Sequence, residues 1–326
     1  MTLLLYYLPA YMIELILLYG NTYEKLQGVE LMVYDAIIIG RGPAGISGAI
    51  YTTRANLSTL VIGRFDSVLL KADKVDNYYG FEQPISGKEL LLAGENQVRR
   101  LGAEIIDDEV IGIEKDANFK IHGIKGSYEG RAVLLATGAP VIKAPVKNLN
   151  KYEGRGVSYC TTCDGFFYRN KKVGVLGYTD YAVHEAMELL PFTKDITVFT
   201  NGAPLRISDK YKEDLSRFRI NEKKIKELYG DDVIEGLVLE DGSREAVNGL
   251  FVAYGSASSL SFALKMGIAT DGKSIYVNEK METNIPGLYA AGDCTGIFKQ
   301  IAVAVGQGAI AARSMIETVR KIRKDG

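Results

Sequence analysis

Val33-Tyr34-Asp35-Ala36-Ile37-Ile38-Ile39-Gly40-Arg41-Gly42-Pro43-Ala44-Gly45 is a β-branched, apolar run that passes directly into glycines spaced Gly-x-Gly-x-x-Gly. An unbroken apolar run suits a parallel strand buried on both faces. Gly40 permits a tight turn, Gly42 lets a pyrophosphate approach the backbone, and Gly45 lets helix and strand pack closely. The small-residue stretch Ile46–Ala55 then reads as a helix whose N-terminus offers free amides and a positive dipole end to phosphates. A bare glycine pattern is a weak signal; set between a strand and a helix it points to dinucleotide binding. The next strand, Thr59–Ile62, ends in Gly63 where an acid would bind a ribose hydroxyl, which weakens NAD and leaves FAD open.

The pattern recurs, altered, at Lys172-Val173-Gly174-Val175-Leu176-Gly177, followed by Tyr178-Thr179-Asp180-Tyr181-Ala182. Thr179 stands where the second glycine belongs, so its Cβ would crowd a pyrophosphate, and Asp180 adds negative charge beside it. The following strand, Ile196–Thr200, ends in Asn201-Gly202, with no acid for NAD and only Arg206 where an NADP phosphate would call for an arginine cluster. This half reads as a Rossmann-like unit with an impaired nicotinamide site. Near the C-terminus, Ile285–Asp293 gives a turn, a strand and a Gly-Asp end. A helix from about Ile301 to Lys321 follows, whose small residues suit packing against either a backbone or a cofactor.

Composition narrows the function. The 326 residues are 47% hydrophobic and 24% charged, the balance of a globular chain long enough for two domains. Lys and Arg (39) nearly cancel Asp and Glu (40), which gives no bulk electrostatic case for nucleic acid or an anionic membrane. Three cysteines are too few for a disulfide-stapled secreted protein. Two of them form Cys160-Thr161-Thr162-Cys163, followed by Asp164-Gly165. Zinc would need two further ligands, and only Cys294, His122 and His184 remain. A buried structural pair is a second option. Redox function is the preferred one, because two intervening residues let the sulfurs bond while leaving a thiolate tunable. Asp164 is a poor helper for forming a thiolate and a plausible proton donor to a departing one. Cys294 reads as a small packing residue.

Leu3 to Tyr19 is almost wholly apolar, yet slightly short for a span and without the early positive charge of a secretory signal. Translation from Met32 is the favoured expectation, with a monotopic anchor or a packed helix as alternatives.

These pieces together resemble the low-molecular-weight thioredoxin reductases of the flavoprotein pyridine nucleotide–disulfide reductase superfamily, from about Val33 to Arg320. The most specific stretch is Arg155–Tyr168, around the cysteines. Gly40–Gly45, Asn77–Phe81, Ala136–Ala139, Gly287–Asp293 and Lys299-Gln300-Ile301 support it. The resemblance implies FAD held by Gly40, Gly42, Pro43, Ala44, Gly45, Asn77, Thr137, Gly138, Asp293, Lys299, Gln300 and Ile301. It implies that Cys160 and Cys163 exchange electrons with the flavin and then with thioredoxin or a glutaredoxin-like protein, and that Asp164 lies at the proton-donor position. A cytoplasmic homodimer with a swivel between its domains is implied too. The expected fold is α/β, with two three-layer Rossmann-like domains. The FAD domain is discontinuous, at 33–142 and 257–326, and an inserted nicotinamide-type domain at 143–256 carries the CxxC. Residues 1–32 stand outside both.

Departures from the family pattern shape the rest. Arg64–Leu70 replaces a Gly-Gly-Gln segment that touches FAD, Lys299 replaces an arginine, and the nicotinamide glycines and a following His-Arg-Arg segment are missing. FAD binding is therefore expected and NAD(P)H is doubtful. Reduced ferredoxin or a reduced deazaflavin is the expected donor. An ordinary NADPH-dependent enzyme, a flavin redox sensor without turnover and an NAD(P)H oxidase are the alternatives.

Overall fold

The first strand, β1 (Val33–Ile39), has Ala36, Ile37 and Ile38 entirely removed from solvent. Each isoleucine so buried contributes about 1.5–3 kcal/mol relative to exposure, which is why the run needs cover on both faces. It pairs in parallel with β2 (Thr59–Ile62), and β2 in turn with β3 (Glu104–Ile106). The computed structural model describes residues 32–139, 144–257, 259–296 and 298–325. The expectations for residues 1–31 and for the 142/143 domain limit lie outside the described residues.

On its other side β1 neighbours β6 (Ser127–Leu135), the long strand that joins two kinds of pairing. Its first half closes an antiparallel meander with β4 (Val110–Lys115) and β5 (Phe119–Gly123), and its second half pairs in parallel with β15 (Leu288–Ala290). A strand from near residue 290 therefore completes a sheet begun at residue 33, so this domain is discontinuous. Helix α1 (Pro43–Arg54) and the C-terminal helix α7 (Ile301–Asp325) pack together on one face, around Ile38, Ala49, Leu134, Ala311 and Met315. The opposite face holds Ile37, Leu60, Phe119 and Phe262. Helix α1 begins three residues before the expected Ile46, because Pro43 is a suitable first helical residue with no amide to leave unpaired. Helix α2 (Gly87–Leu101) lies beside α1 and opens on a Ser86/Glu89 capping box.

The second sheet is wholly parallel, in the order β10-β9-β8-β14-β7. Its strands are β7 (Val157–Ser158), β8 (Val173–Leu176), β9 (Ile196–Phe199), β10 (Arg219–Asn221) and β14 (Gly249–Val252). Between β7 and β8 lies α3 (Thr161–Asp164); α4 (Asp180–Leu189) links β8 to β9, and α5 (Asp209–Leu215) precedes β10. Val175, Val198 and Phe251 face α4 and α5, while Leu176, Phe199 and Leu250 face an antiparallel sheet of β11 (Ile225–Tyr229), β12 (Gly236–Leu239) and β13 (Arg244–Ala246). Both halves are thus three-layer Rossmann-like units. The two meet closely: Ile111 of β4 is buried in the core of the second unit, and Lys210 of α5 donates to the carbonyl of Ile124 at 2.8 Å. After β14 the chain returns through α6 (Ser259–Met266). Among the described residues no helix is long and apolar enough to cross a membrane.

Candidate redox and dinucleotide site

The turn after β1 is built for close approach. Gly40 has φ +119°, and a Cβ there would lie 2.2 Å from the carbonyl oxygen of Ala136; one on Gly45 would lie 2.0 Å from that of Gly40. Only glycine permits either. Gly42 is different, since a Cβ on it would meet nothing nearer than the Ser67 hydroxyl at 4.0 Å. Gly42 caps α1 without a side-chain hydrogen bond, and the first turn holds no acid. Open backbone at a helix N-terminus free of negative charge is what a pyrophosphate requires.

Other expected residues converge on this turn. Thr137 and Gly138 follow β6, beside Gly40, and Gly138 at φ +79° has open space around it. Asn77 donates to the Gln300 side chain at 2.9 Å, joining two expected cofactor residues 223 positions apart, next to Ile301 at the start of α7. Lys299 is exposed and Asp293 half-buried. The small residues of α7 serve both purposes foreseen for them. Gly308 lies against the Ala44 carbonyl, where a Cβ would come within 2.1 Å, while Gly306 faces open space. The residues present fit a flavin dinucleotide.

Two contributors escaped the sequence reading. Gln307 accepts the Gly292 amide at 2.8 Å and so fixes the Gly-Asp turn. Arg41, inside the glycine motif, grips Glu95 of α2 through two 2.8 Å hydrogen bonds and also reaches Asp107 and the Gly63 carbonyl. Its guanidinium lies 5.4 Å from the Phe65 ring. A Cβ on Gly63 would come 3.2 Å from Arg41, which explains a glycine where ribose-binding acids usually stand. An arginine within Gly-x-Gly was the available signal. Arg64, in the segment that departs from the family, is taken up by Glu109 at 2.7 Å and Asp66 at 3.4 Å.

Cys160 and Cys163 form a disulfide with Cα atoms 5.3 Å apart. Cys160 caps α3, its sulfur accepting the Cys163 amide at 3.1 Å. Cys160 is 4% exposed and Cys163 is exposed, its sulfur 3.4 Å from the Leu264 carbonyl of α6. Asp164, half-buried, ends α3. Cys294 is buried away from the pair, as a packing residue is.

The turn after β8 repeats the first and then closes on itself. A Cβ on Gly177 would lie 2.2 Å from the Ala253 carbonyl oxygen, the counterpart of Gly40 and Ala136. Thr179 caps α4 in the place of Gly42, and its hydroxyl donates to the Gly255 carbonyl at 2.6 Å. Buried Asp180 accepts the Ser208 amide at 2.8 Å, and Tyr178 stacks edge-on against Tyr254 at 5.1 Å. Arg206 lies 6.0 Å from the Tyr178 ring. Nearby, burial pushes the Glu109 carboxyl upward, with Asp180 adding to the shift and Arg64 opposing it. Two acids and a threonine thus face the helix end that an intact site keeps open and positive.

The sequence profile of the pyridine nucleotide-disulphide oxidoreductase family matches residues 34–308. A thioredoxin reductase of Aquifex aeolicus is 36% identical over 296 residues, covering 86% of this chain and 91% of its own. The atypical thioredoxin reductase TRi of Desulfovibrio vulgaris Hildenborough superposes with a TM-score of 0.85 at 42% identity, over 88% of this chain and 98% of that one. A ferredoxin-flavin thioredoxin reductase of Clostridium acetobutylicum gives 0.66 at 35% identity, over the same shares.

Proposed function

The chain belongs to the pyridine nucleotide-disulphide oxidoreductase family, in its low-molecular-weight thioredoxin reductase group, and we propose that it is a flavin-dependent thioredoxin-disulfide reductase fed by a donor other than NAD(P)H. FAD would be held by the open turn at Gly40, Gly42, Pro43, Ala44 and Gly45, with Asn77, Thr137, Gly138, Asp293, Lys299, Gln300 and Ile301 around it. When bound, FAD supplies a two-electron carrier between the donor and the disulfide. The domain limits 33–142 with 257–326, and 143–256, belong to the same reading, as does a homodimer.

The chain's own chemistry is thiol–disulfide exchange. Two electrons entering the Cys160–Cys163 bond break it, leaving two sulfurs of which one takes up a proton; Asp164, next in sequence, is the proposed donor. One thiolate then attacks the disulfide of thioredoxin, or of a glutaredoxin-like protein, and forms a mixed disulfide. The other cysteine attacks that bond, re-forming Cys160–Cys163 and releasing the partner as a dithiol.

The observation that carries the donor reading is the bond from Thr179 to the Gly255 carbonyl beside buried Asp180. A hydride donor is oriented through its remote pyrophosphate and ribose, and here both the space and the favourable field for them are gone. Each lost charged contact is worth roughly 1.5–3 kcal/mol, so losing two weakens NADPH by about two to four orders of magnitude. The ferredoxin-flavin enzyme among the similar structures supports reduced ferredoxin as donor, with a reduced deazaflavin as the other option. Purified protein is expected to be yellow and to reduce thioredoxin over many turnovers with such a donor. Colourless protein that FAD does not reconstitute would sink the proposal.

A further inference from the structure

Behind the redox pair lies a buried ion cluster that the exchange chemistry does not use. Thr161, directly after Cys160 and 1% exposed, places its hydroxyl 2.7 Å from Glu185 Oε2 and 2.7 Å from Glu188 Oε2, both on α4. Lys265 of α6 reaches the same two acids, Nζ lying 2.5 Å from Glu185 Oε1 and 3.1 Å from Glu188 Oε2. The side chains of Lys265 and Glu185 are 9% and 3% exposed. His184 closes the cluster, with Nε2 3.3 Å from Glu188 Oε1. The Thr161 hydroxyl has one proton for two acceptors, which fits a carboxyl that shares its own; burial pushes Glu185 in that direction. His184, Glu185 and Glu188 have the makings of a metal-ligand group, but the Lys265 ammonium already supplies their cation.

The consecutive residues Leu264 and Lys265 thus hold the CxxC turn twice, through the carbonyl against Cys163 and through the ammonium against the acids that bind Thr161. In this state Cys160 is buried, beyond the reach of a partner protein's disulfide. We infer that Lys265 is a positioning residue, the clasp that keeps the Cys160–Cys163 turn docked on α6, and that parting Lys265 from Glu185 and Glu188 opens Cys160 to the protein substrate. The inference rests on the redox reading of the pair. It explains why three charges are kept buried, since such a cluster is costly to bury and adds little net stability over an apolar one.

The test needs neither electron donor nor thioredoxin, so its outcome is independent of the donor and substrate proposed above. FAD-loaded protein is reduced with a phosphine, and alkylation of Cys160 is followed by peptide mass spectrometry well below the melting midpoint. Lys265→Met should raise the Cys160 rate about tenfold, because access is set by local opening. Lys265→Arg, which keeps the cation, should restore the slow rate. Thr161→Val strands no charge and decides the matter if Lys265→Met does not fold; it too should speed alkylation. A Cys160 rate in Thr161→Val equal to wild type, or a folded Lys265→Met with the wild-type rate and only a lowered melting midpoint, would reduce the cluster to a structural ion pair and overturn the inference.

Discussion

Gly40 and Asp164 show how single residues carry the proposal. Gly40→Ala would set a methyl 2.2 Å from the Ala136 carbonyl at φ +119°, so β1 and β6 must separate or the turn must reshape. The expected cost is about 1–3 kcal/mol from the backbone conformation alone, plus the clash. Urea unfolding should show the loss, and purified protein should carry less flavin. Asp164→Asn keeps shape and removes the acid. Thioredoxin turnover should fall by about a hundredfold, the lower end of what a positioned acid contributes, with the flavin spectrum unchanged; full turnover would remove Asp164 from the mechanism. Arg41 marks the limit of reading at this scale. Its place inside the glycine motif was visible, but its grip on Glu95 spans 54 positions and needed the fold.

At the scale of elements, local chemistry made the strand–turn–helix units legible. Val33–Ile39 and Thr59–Ile62 fall where an apolar run between turn residues puts them, and Cys160–Cys163 closes a disulfide within one short turn. What stayed hidden is contact between elements distant in sequence. The bond from Thr179 to Gly255 crosses 76 positions, and that from Lys265 to Glu185 crosses 80. Thr179 was legible as an obstacle to phosphate, but not as the residue that seals its own turn. Helix α4 also carries a pH dependence. Burial alone would raise the Glu188 carboxyl; hydrogen bonding from His184, the Lys265 charge and the Thr161 hydroxyl outweigh it and hold the group far below the ordinary glutamate range. A folded-state value below the unfolded one stabilises the protein above the ordinary value of about 4.3, and this contribution is lost as pH falls below it. Glu188→Gln should therefore be less stable than wild type near neutrality, and the gap should narrow on acidification from roughly pH 5 to pH 3. Urea midpoints across that window measure it, and a gap that widens with acid would contradict the assignment.

At the scale of the whole molecule, two Rossmann-like units share one turn geometry and differ in what the turn leaves open. Gly40 and Gly177 meet their carbonyl neighbours at the same 2.2 Å, yet Gly42 faces open space where Thr179 is bonded to Gly255. Chemistry that needs a dinucleotide is thereby confined to the first unit. The second unit keeps the disulfide turn, docked through α6 on the chain's return to the first sheet. Electrons from a nicotinamide would have to enter at a helix end already occupied by Thr179, Asp180 and the Tyr178–Tyr254 pair. The most direct measurement is anaerobic titration of the flavin absorbance with NADPH, NADH, reduced ferredoxin and a reduced deazaflavin in turn, each followed by reoxidation with thioredoxin disulfide. The account predicts little bleaching by either nicotinamide, full bleaching by one of the other donors, and recovery of the oxidised spectrum on adding thioredoxin; stoichiometric bleaching by micromolar NADPH would contradict it.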